Sequence, residues 1–403
     1  MRHDAPPRLA LDLGAPPPVP EEAIAAAEAL LRGGWLHRYG ETLGDSSDAA
    51  RLEEEFAAGL GARYCVGVNS CGSAMFLALY TSGVQPGDRV LMNGFTLSPV
   101  PGAIAHAGAQ PVVVEVTQDL VIDIEDLARK AEASGARHLL LSHMRGHIAD
   151  MDRLMALCNE RGLTVIEDCA HTMGARWAGH PTGRFGRAGC FSLQSYKHVN
   201  AGEGGLLATD DADLAARAIL ASGSYMLYGQ HRARPPEEVF ARWKDVTPNF
   251  SLRLSNLAAA LARPQLRLLA ERARVWNDRH ARLATLLGAI PGIRLPHRPQ
   301  QEEHVQSSIQ FAVPGLDAEG FRRFLAGCRS RGVFLKWFGA EAAEGYTSAP
   351  RHWRFLHESQ SPPRTAAVLA QLCDMRIPLT LTEADCATIG LVVGDELAAA
   401  RTP

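Results

Sequence analysis

The sequence lacks the features of several protein classes. No stretch approaches the roughly 20 apolar residues that a membrane-spanning helix needs. The first twenty residues have no sustained apolar run and contain three consecutive prolines, unlike a secretory signal peptide. The eight cysteines form no CxxC pair, so zinc ribbons and thioredoxin-type motifs have no support. The net charge of −3 gives no basis for binding nucleic acid or an anionic membrane.

These absences leave a globular protein, which we expect in the cytoplasm with its cysteines as free thiols. The composition, 46% hydrophobic and 21% charged, lies in the ordinary globular range. A chain of 403 residues exceeds the length at which a single core usually stops growing. More than one packed domain is therefore expected.

Short apolar runs alternate with helical patterns in the first half of the chain. The runs predict strands at 64–68, 89–93, 110–116, 138–143, 163–168, 188–193 and 204–209. Helical patterns lie between them, for example at 73–83, 123–134 and 151–162. Strands that are apolar throughout are buried on both faces, which predicts an α/β fold with a mostly parallel central sheet sandwiched by helices. Ligands of such sheets bind at the carboxyl ends of the strands.

The pattern changes after a long helical region at 255–288 that is interrupted at Pro264. Beyond it, strands are predicted at 304–313 and 332–338, and helices at 318–332 and 384–400. We expect an N-terminal arm (1–20), a large α/β domain (21–265) and a small C-terminal α+β domain (266–403).

Lys197 stands out in the segment FSLQSYKHVNAGEGG (191–205). A lone loop lysine is usually solvated, but here Ser192 precedes it and a glycine cluster that permits close backbone approach follows it. A primary amine is the group that forms an imine with an aldehyde cofactor. Lys197 is therefore the candidate attachment point of such a cofactor.

Asp168 lies at the predicted carboxyl end of a strand in TVIEDCAHTMG (164–174). It could be an ordinary loop acid. Next to a cofactor-bearing lysine, it could instead keep a pyridine nitrogen protonated, which makes the ring an electron sink. Glu167 should point to the opposite side of the strand, so Asp168 is the better candidate.

The segment VGVNSCGSAM (66–75) reads as a strand, a turn of small residues and a helix start. The free N–H groups of a helix N-terminus suit a phosphate, although an ordinary N-cap explains the same pattern. With the other two motifs, Gly72 and Ser73 become candidates for a phosphate cup to which Ser192 could add a hydroxyl.

In this order, the motifs resemble the DegT/DnrJ/StrS family of sugar aminotransferases, a branch of the fold-type I enzymes that depend on pyridoxal 5′-phosphate (PLP). The resemblance extends from Trp35 to about Leu391. It is carried by NSCGSAM (69–75), HMRGHIADMD (143–152), VIEDCAH (165–171) and SLQSYKHVNAGEGG (192–205).

The resemblance implies roles for individual residues. Lys197 matches the Schiff-base lysine, Asp168 the pyridinium partner, His171 the residue near the ring and its 3-hydroxyl, and Gly72, Ser73 and Ser192 the phosphate contacts. It also implies a homodimer with shared active sites. Dehydratase relatives carry histidine at the lysine position, so Lys197 favours transamination.

The implied reaction moves an amino group from glutamate or glutamine to a keto group by a ping-pong mechanism. The acceptor would be a sugar, a nucleotide-sugar or an aminocyclitol-type ketone, as in antibiotic or amino-sugar biosynthesis. Two alternatives remain: an aminotransferase for a non-sugar ketone, or a non-catalytic PLP-binding regulator. The intact pair of Lys197 and Asp168 argues against the regulator.

Three positions depart from the family pattern. Leu97 occupies the place of an aromatic residue that usually stacks on the ring. In NFSLRLSNL (249–257), Ser251 stands where an asparagine usually reaches the partner's phosphate, and Asn249 lies two residues earlier. Arg145 could bind a carboxylate or phosphate of a substrate, but a solvated loop arginine is the favoured interpretation.

No metal site is predicted. His143 and His147 have the i,i+4 spacing of ligands on a helix, but the glycine between them argues against a helix there. Spacing without geometry is weak evidence for a metal.

Overall fold

The computed structural model describes residues 7–40, 44, 46–356, 360 and 362–402. The helices in these ranges are α1 (Glu21–Gly33), α2 (Asp48–Leu60), α3 (Cys71–Thr81), α4 (Pro99–His106), α5 (Ile124–Ser134), α6 (Met151–Glu160), α7 (Ala212–Ser222), α8 (Glu237–Trp243), α9 (Asn256–Leu266), α10 (Leu269–Gly288), α11 (Ala318–Ser330), α12 (Pro363–Ala370) and α13 (Glu383–Arg401). The strands are β1 (Tyr64–Val68), β2 (Arg89–Asn93), β3 (Gln110–Val114), β4 (His138–Ser142), β5 (Thr164–Asp168), β6 (Arg176–Trp177), β7 (His180–Pro181), β8 (Ala188–Ser192), β9 (Gly205–Thr209), β10 (Glu302–Glu303), β11 (Ser308–Ala312), β12 (Lys336–Trp337) and β13 (Leu372–Arg376).

Within the described ranges, the central sheet has seven strands in the order β1-β9-β8-β5-β4-β2-β3. The pairs from β8 to β3 are parallel, whereas β9 runs antiparallel to both β8 and β1. The predicted mostly parallel sheet is therefore confirmed.

Helices cover both faces of this sheet. On β4, Leu140 joins the core beneath α3, α4 and α7, whereas its neighbours Leu139 and Leu141 join the core beneath α5 and α6. Successive side chains of a strand point to opposite faces, so a sheet covered on both sides needs apolar residues at every position. This explains why the strands read as unbroken apolar runs.

A second sheet lies in the C-terminal part of the described chain, in the order β11-β13-β12 with antiparallel pairing. The strand predicted at 332–338 is shorter than expected, since only Lys336–Trp337 pairs at the edge of this sheet. Pro264 lies inside α9, and the break falls after Leu266. The domain division 21–265 and 266–403 stays a prediction.

Residues 7–20 contain neither helix nor strand, and Leu9 and Leu13 in their first half pack against the C-terminal part. Leu9 and Leu13 are buried, and the Leu9 N–H donates to the Arg331 carbonyl. Residues 1–6 of the predicted arm lie outside the described residues. None of the helices in the described ranges combines the length and apolar composition needed to cross a membrane.

Candidate active site

The three neighbouring strands at the centre of the sheet each end in a polar residue that faces this site or supports it: β4 at Ser142, β5 at Asp168 and β8 at Ser192. The parallel register places Ser142 beside Asp168. Oδ2 of Asp168 accepts a hydrogen bond of 2.7 Å from the Ser142 hydroxyl, which itself accepts one of 2.8 Å from the Thr96 hydroxyl. This chain of hydroxyls fixes the orientation of the Asp168 carboxylate.

Asp168 and Glu167 face opposite sides of the sheet. Glu167 is completely buried and accepts hydrogen bonds from the backbone N–H groups of Gly183, Phe185 and Gly186. It also lies 3.1 Å from Nε2 of His143, and ligand atoms of His143, Glu167 and Cys169 lie within 4.8 Å of one another. Because the Glu167 oxygens already accept these donors, the group is explained as a hydrogen-bonded support for the 183–186 turn.

Lys197 lies in the loop between β8 and β9, with Nζ 2.7 Å from Nε2 of His171. Burial, and after it the positive charge of Arg145, lowers the pKa of Lys197 to about 7. Burial and the nearby lysine hold the pKa of His171 well below its usual value. A large fraction of the Lys197 amine is therefore neutral near pH 7.

The start of α3 forms one end of the site. Ser70 caps the helix by accepting from the Ser73 N–H, and the N–H groups of Cys71 and Gly72 before it have no partner within the helix. Gly205 of β9 lies against this turn, and a Cβ there would come within 2.4 Å of the Ser70 carbonyl. The glycine that follows Lys197 by eight residues is thus required for close approach between β9 and α3.

A cavity of about 290 Å³ joins these elements. Of the predicted site residues, its walls include Gly72, Leu97, Asp168, His171, Ser192 and Lys197. Ser73 is not among the lining residues, and its hydroxyl donates a hydrogen bond of 2.6 Å to Asn69. The predicted contact between Ser73 and a phosphate therefore stays a prediction.

Sequence reasoning missed several residues of this site. Ser142 supports Asp168, and Cys71, Tyr196, Tyr346 and Arg376 line the cavity. Ser142 could have been found as the polar end of the neighbouring strand. Tyr346 and Arg376 come from the C-terminal part of the chain, and no motif linked them to Lys197.

Arg145 corrects the expectation of a solvated loop arginine. It is 8% exposed and its Nη2 lies 2.7 Å from Oδ2 of Asp374 on β13. Its backbone is left-handed, with φ of 55°, which is uncommon for a residue other than glycine. Arg145 is thus a buried cation in the wall of the cavity rather than a surface side chain.

Asn249 and Ser251 are exposed and are not among the residues that line this chain's own cavity. Oδ1 of Asn249 accepts from the Ser251 N–H at 2.9 Å, and Ser251 has a left-handed φ of 57°. The segment is therefore a structured turn on the surface of the single chain. Its predicted contact with a partner's phosphate stays a prediction.

The residues present fit PLP. An aldehyde needs a neutral amine, a pyridine nitrogen needs a buried acid, and a phosphate needs N–H donors at a helix start. Lys197, Asp168 and the first turn of α3 supply these groups on one cavity.

Comparisons with known proteins agree with this geometry. The sequence model of the DegT/DnrJ/EryC1/StrS aminotransferase family matches residues 18–331. The chain is 31% identical over 284 residues to the spore coat polysaccharide biosynthesis protein SpsC of Bacillus subtilis (strain 168), covering 70% of each chain. It is 31% identical over 283 residues, 69% of each chain, to the UDP-4-amino-4-deoxy-L-arabinose–oxoglutarate aminotransferase of Shewanella sediminis (strain HAW-EB3). The crystal structure of S. venezuelae DesV matches with a TM-score of 0.79 and 25% identity, over 99% of this chain and 100% of that one.

Proposed function

The chain belongs to the DegT/DnrJ/EryC1/StrS aminotransferase family of fold-type I, PLP-dependent enzymes, and we propose that it aminates a sugar, nucleotide-sugar or aminocyclitol-type ketone. The nitrogen comes from glutamate or glutamine in the first half of a ping-pong cycle, and the ketone receives it in the second. The observation that carries this proposal is the placement of Lys197, Asp168 and the start of α3 on one cavity.

When bound, PLP supplies an aldehyde for amines and a ring that accepts an electron pair. Lys197, with its pKa lowered to about 7, would attach the cofactor and then accept and return a proton at Nζ. Asp168, oriented by Ser142, would hold the proton of the ring nitrogen. His171 would keep the lysine amine in place through its 2.7 Å contact.

We further propose that two copies of the chain share their active sites. The Asn249–Ser251 turn is exposed and does not line its own chain's cavity, which leaves it available to a partner. Exposed apolar side chains lie close to the turn in space, because Arg253 contacts Ser251 and lies over the ring of the exposed Tyr225, which Met226 follows. Such a surface is suited to burial against a second copy.

A non-sugar ketone is the second candidate acceptor. Arg145 is buried in the cavity wall and Leu97 replaces the usual stacking aromatic residue. A cation in this position favours an acceptor with an acidic group near the keto carbon.

The test is to load the protein with PLP and follow its visible absorbance. We expect a yellow protein that bleaches when glutamate or glutamine is added, and whose colour returns with the correct ketone from a panel of keto sugars and keto acids. Lys197→Ala should stay colourless. A coloured protein that responds to no amino acid would contradict the proposed activity, and a non-sugar ketone as the sole effective acceptor would favour the second candidate.

A further inference from the structure

A second cavity, of about 440 Å³, adjoins the cofactor cavity. The two share Tyr196, Tyr346 and Arg376 in their walls. The second cavity also reaches Lys336 on β12 and Asp374 on β13. A substrate whose reacting carbon is at Lys197 can therefore extend past the two tyrosines into this space.

Two cations in this wall have no anionic partner at bonding distance among the described residues. The Nζ atom of Lys336 is buried without a hydrogen bond. The guanidinium of Arg376 stacks over the Tyr196 ring at 3.8 Å and makes neither a hydrogen bond nor a salt bridge within the described part of the chain. The lysine lies over the face of Tyr346, 5.5 Å from the ring centroid. The tyrosines thus hold both cations in place without neutralising them.

The Asp374 carboxylate, which pairs in register with Lys336 across β12 and β13, is already engaged. Oδ1 of Asp374 accepts from Gln310 Nε2 at 2.8 Å, and Oδ2 lies 2.7 Å from Arg145. Arg145, Lys336 and Arg376 therefore share Asp374, while Glu344 in the same cavity is paired with Arg329. Burying a cation without a partner is costly, and an anion that enters the cavity removes that cost.

We propose that Lys336 and Arg376 form a subsite that binds a carboxylate of the substrate beyond its reacting carbon. This inference rests on the proposed aminotransferase function. The Arg376 guanidinium lies over the Tyr196 ring and makes no hydrogen bond or salt bridge within the described residues, so its N–H groups are available for the two-point contact that suits a carboxylate. The carboxylate comes either from the side chain of the donor glutamate or from an acidic acceptor.

Three variants test the subsite: Lys336→Met, Arg376→Gln and the double variant. Arg329→Gln is the matched control, because Arg329 lines the same cavity but is exposed and already paired with Glu344 at 3.5 Å. Each protein is loaded with PLP, and its yellow colour and thermal unfolding midpoint establish that it is folded. Three quantities are then measured: the half-saturating glutamate concentration for bleaching, the same for glutamine, and the calorimetric dissociation constant of succinate, an unreactive dicarboxylate.

If the donor supplies the carboxylate, the double variant should need about 10–100-fold more glutamate, the range for lost charge-assisted hydrogen bonds. The requirement for glutamine should change less than about threefold, because its amide carries no charge. If the acceptor supplies it, succinate binding should weaken about 10-fold or more while the glutamate requirement stays the same.

The proposed subsite is wrong if the double variant, the control and the wild type show the same glutamate requirement and the same succinate dissociation constant. It is also wrong if succinate does not bind and the glutamate requirement is unchanged in the double variant. Failure of the proposed function looks different. In that case no amino acid bleaches the wild-type protein, while succinate binding still reports on the two cations. Lys336→Arg keeps a positive charge and should therefore bind glutamate or succinate better than Lys336→Met does. A purely structural role of the lysine does not predict this difference.

Discussion

Nζ of Lys197 lies 2.7 Å from Nε2 of His171, and the pKa values of both groups are lowered. Two basic groups at this distance cannot both be protonated without strong repulsion. The contact therefore favours a lysine that is neutral when it meets an aldehyde.

The rate at which cofactor-free protein captures PLP should follow the protonation of Lys197. The pKa is lowered to about 7, so the reactive amine is present above that pH and lost below it. We expect the capture rate, measured by stopped-flow absorbance, to rise with pH through a midpoint near 7 and then level off. Because Arg145 contributes to the lowered pKa, Arg145→Gln should move the midpoint upward. A midpoint near 10 in the wild type would contradict this assignment.

Substitution of Asp168 should affect the reaction, whereas substitution of its neighbour Glu167 should affect stability. Asp168→Asn should bind PLP and remain folded but bleach with glutamate about 10²–10⁴-fold more slowly, the range for a lost proton-transfer partner. Glu167→Gln should instead lower the free energy of unfolding by about 1–3 kcal/mol, because buried backbone N–H groups lose an acceptor. Single-turnover absorbance and urea unfolding separate the two effects. The reverse pattern would exchange their roles.

Arg145 and Asp374 should be coupled in stability. Both are buried, and removal of one leaves the other charged without its partner. Arg145→Met or Asp374→Asn alone should cost about 3–5 kcal/mol of unfolding free energy. The double variant should lose clearly less unfolding free energy than the two single variants together, and urea unfolding measures all three losses. Additive losses would show that the two side chains do not depend on each other.

The strands and the acid of the site could be predicted because they depend on local rules. Unbroken apolar runs mark strands that are covered on both faces, and the period of two distinguishes Asp168 from Glu167. The position of Lys197 followed from its motif and from the chemistry of amines.

Other features depend on contacts between distant parts of the chain. The burial of Arg145 depends on Asp374, which lies 229 residues later in the sequence. The role of Gly205 depends on the approach of β9 to Ser70, and Tyr346 reaches the cavity through the tertiary fold. No local pattern records such distances, so the wall of the site could be found only in the structure.

The Asn249–Ser251 turn should matter for cofactor affinity through a second copy of the chain. Oδ1 of Asn249 is used within the turn, which leaves its amide N–H₂ free to donate to a phosphate. Asn249→Ala should weaken PLP binding about 10-fold, the range for a hydrogen bond to a charged group, and Ser251→Ala less than about threefold. Equilibrium titration of cofactor-free protein measures both. If neither variant changes PLP affinity, the turn does not reach the cofactor.

The central claim is that Lys197 carries the cofactor, and the chain offers a sharp test because it contains four lysines: Lys130, Lys197, Lys244 and Lys336. Borohydride reduction of the PLP-loaded protein makes the linkage permanent, and peptide mass spectrometry then locates it. We predict a stoichiometric cofactor adduct on the peptide that contains Lys197. An adduct on Lys336 or another lysine, or a protein that binds PLP without any lysine adduct, would contradict the account.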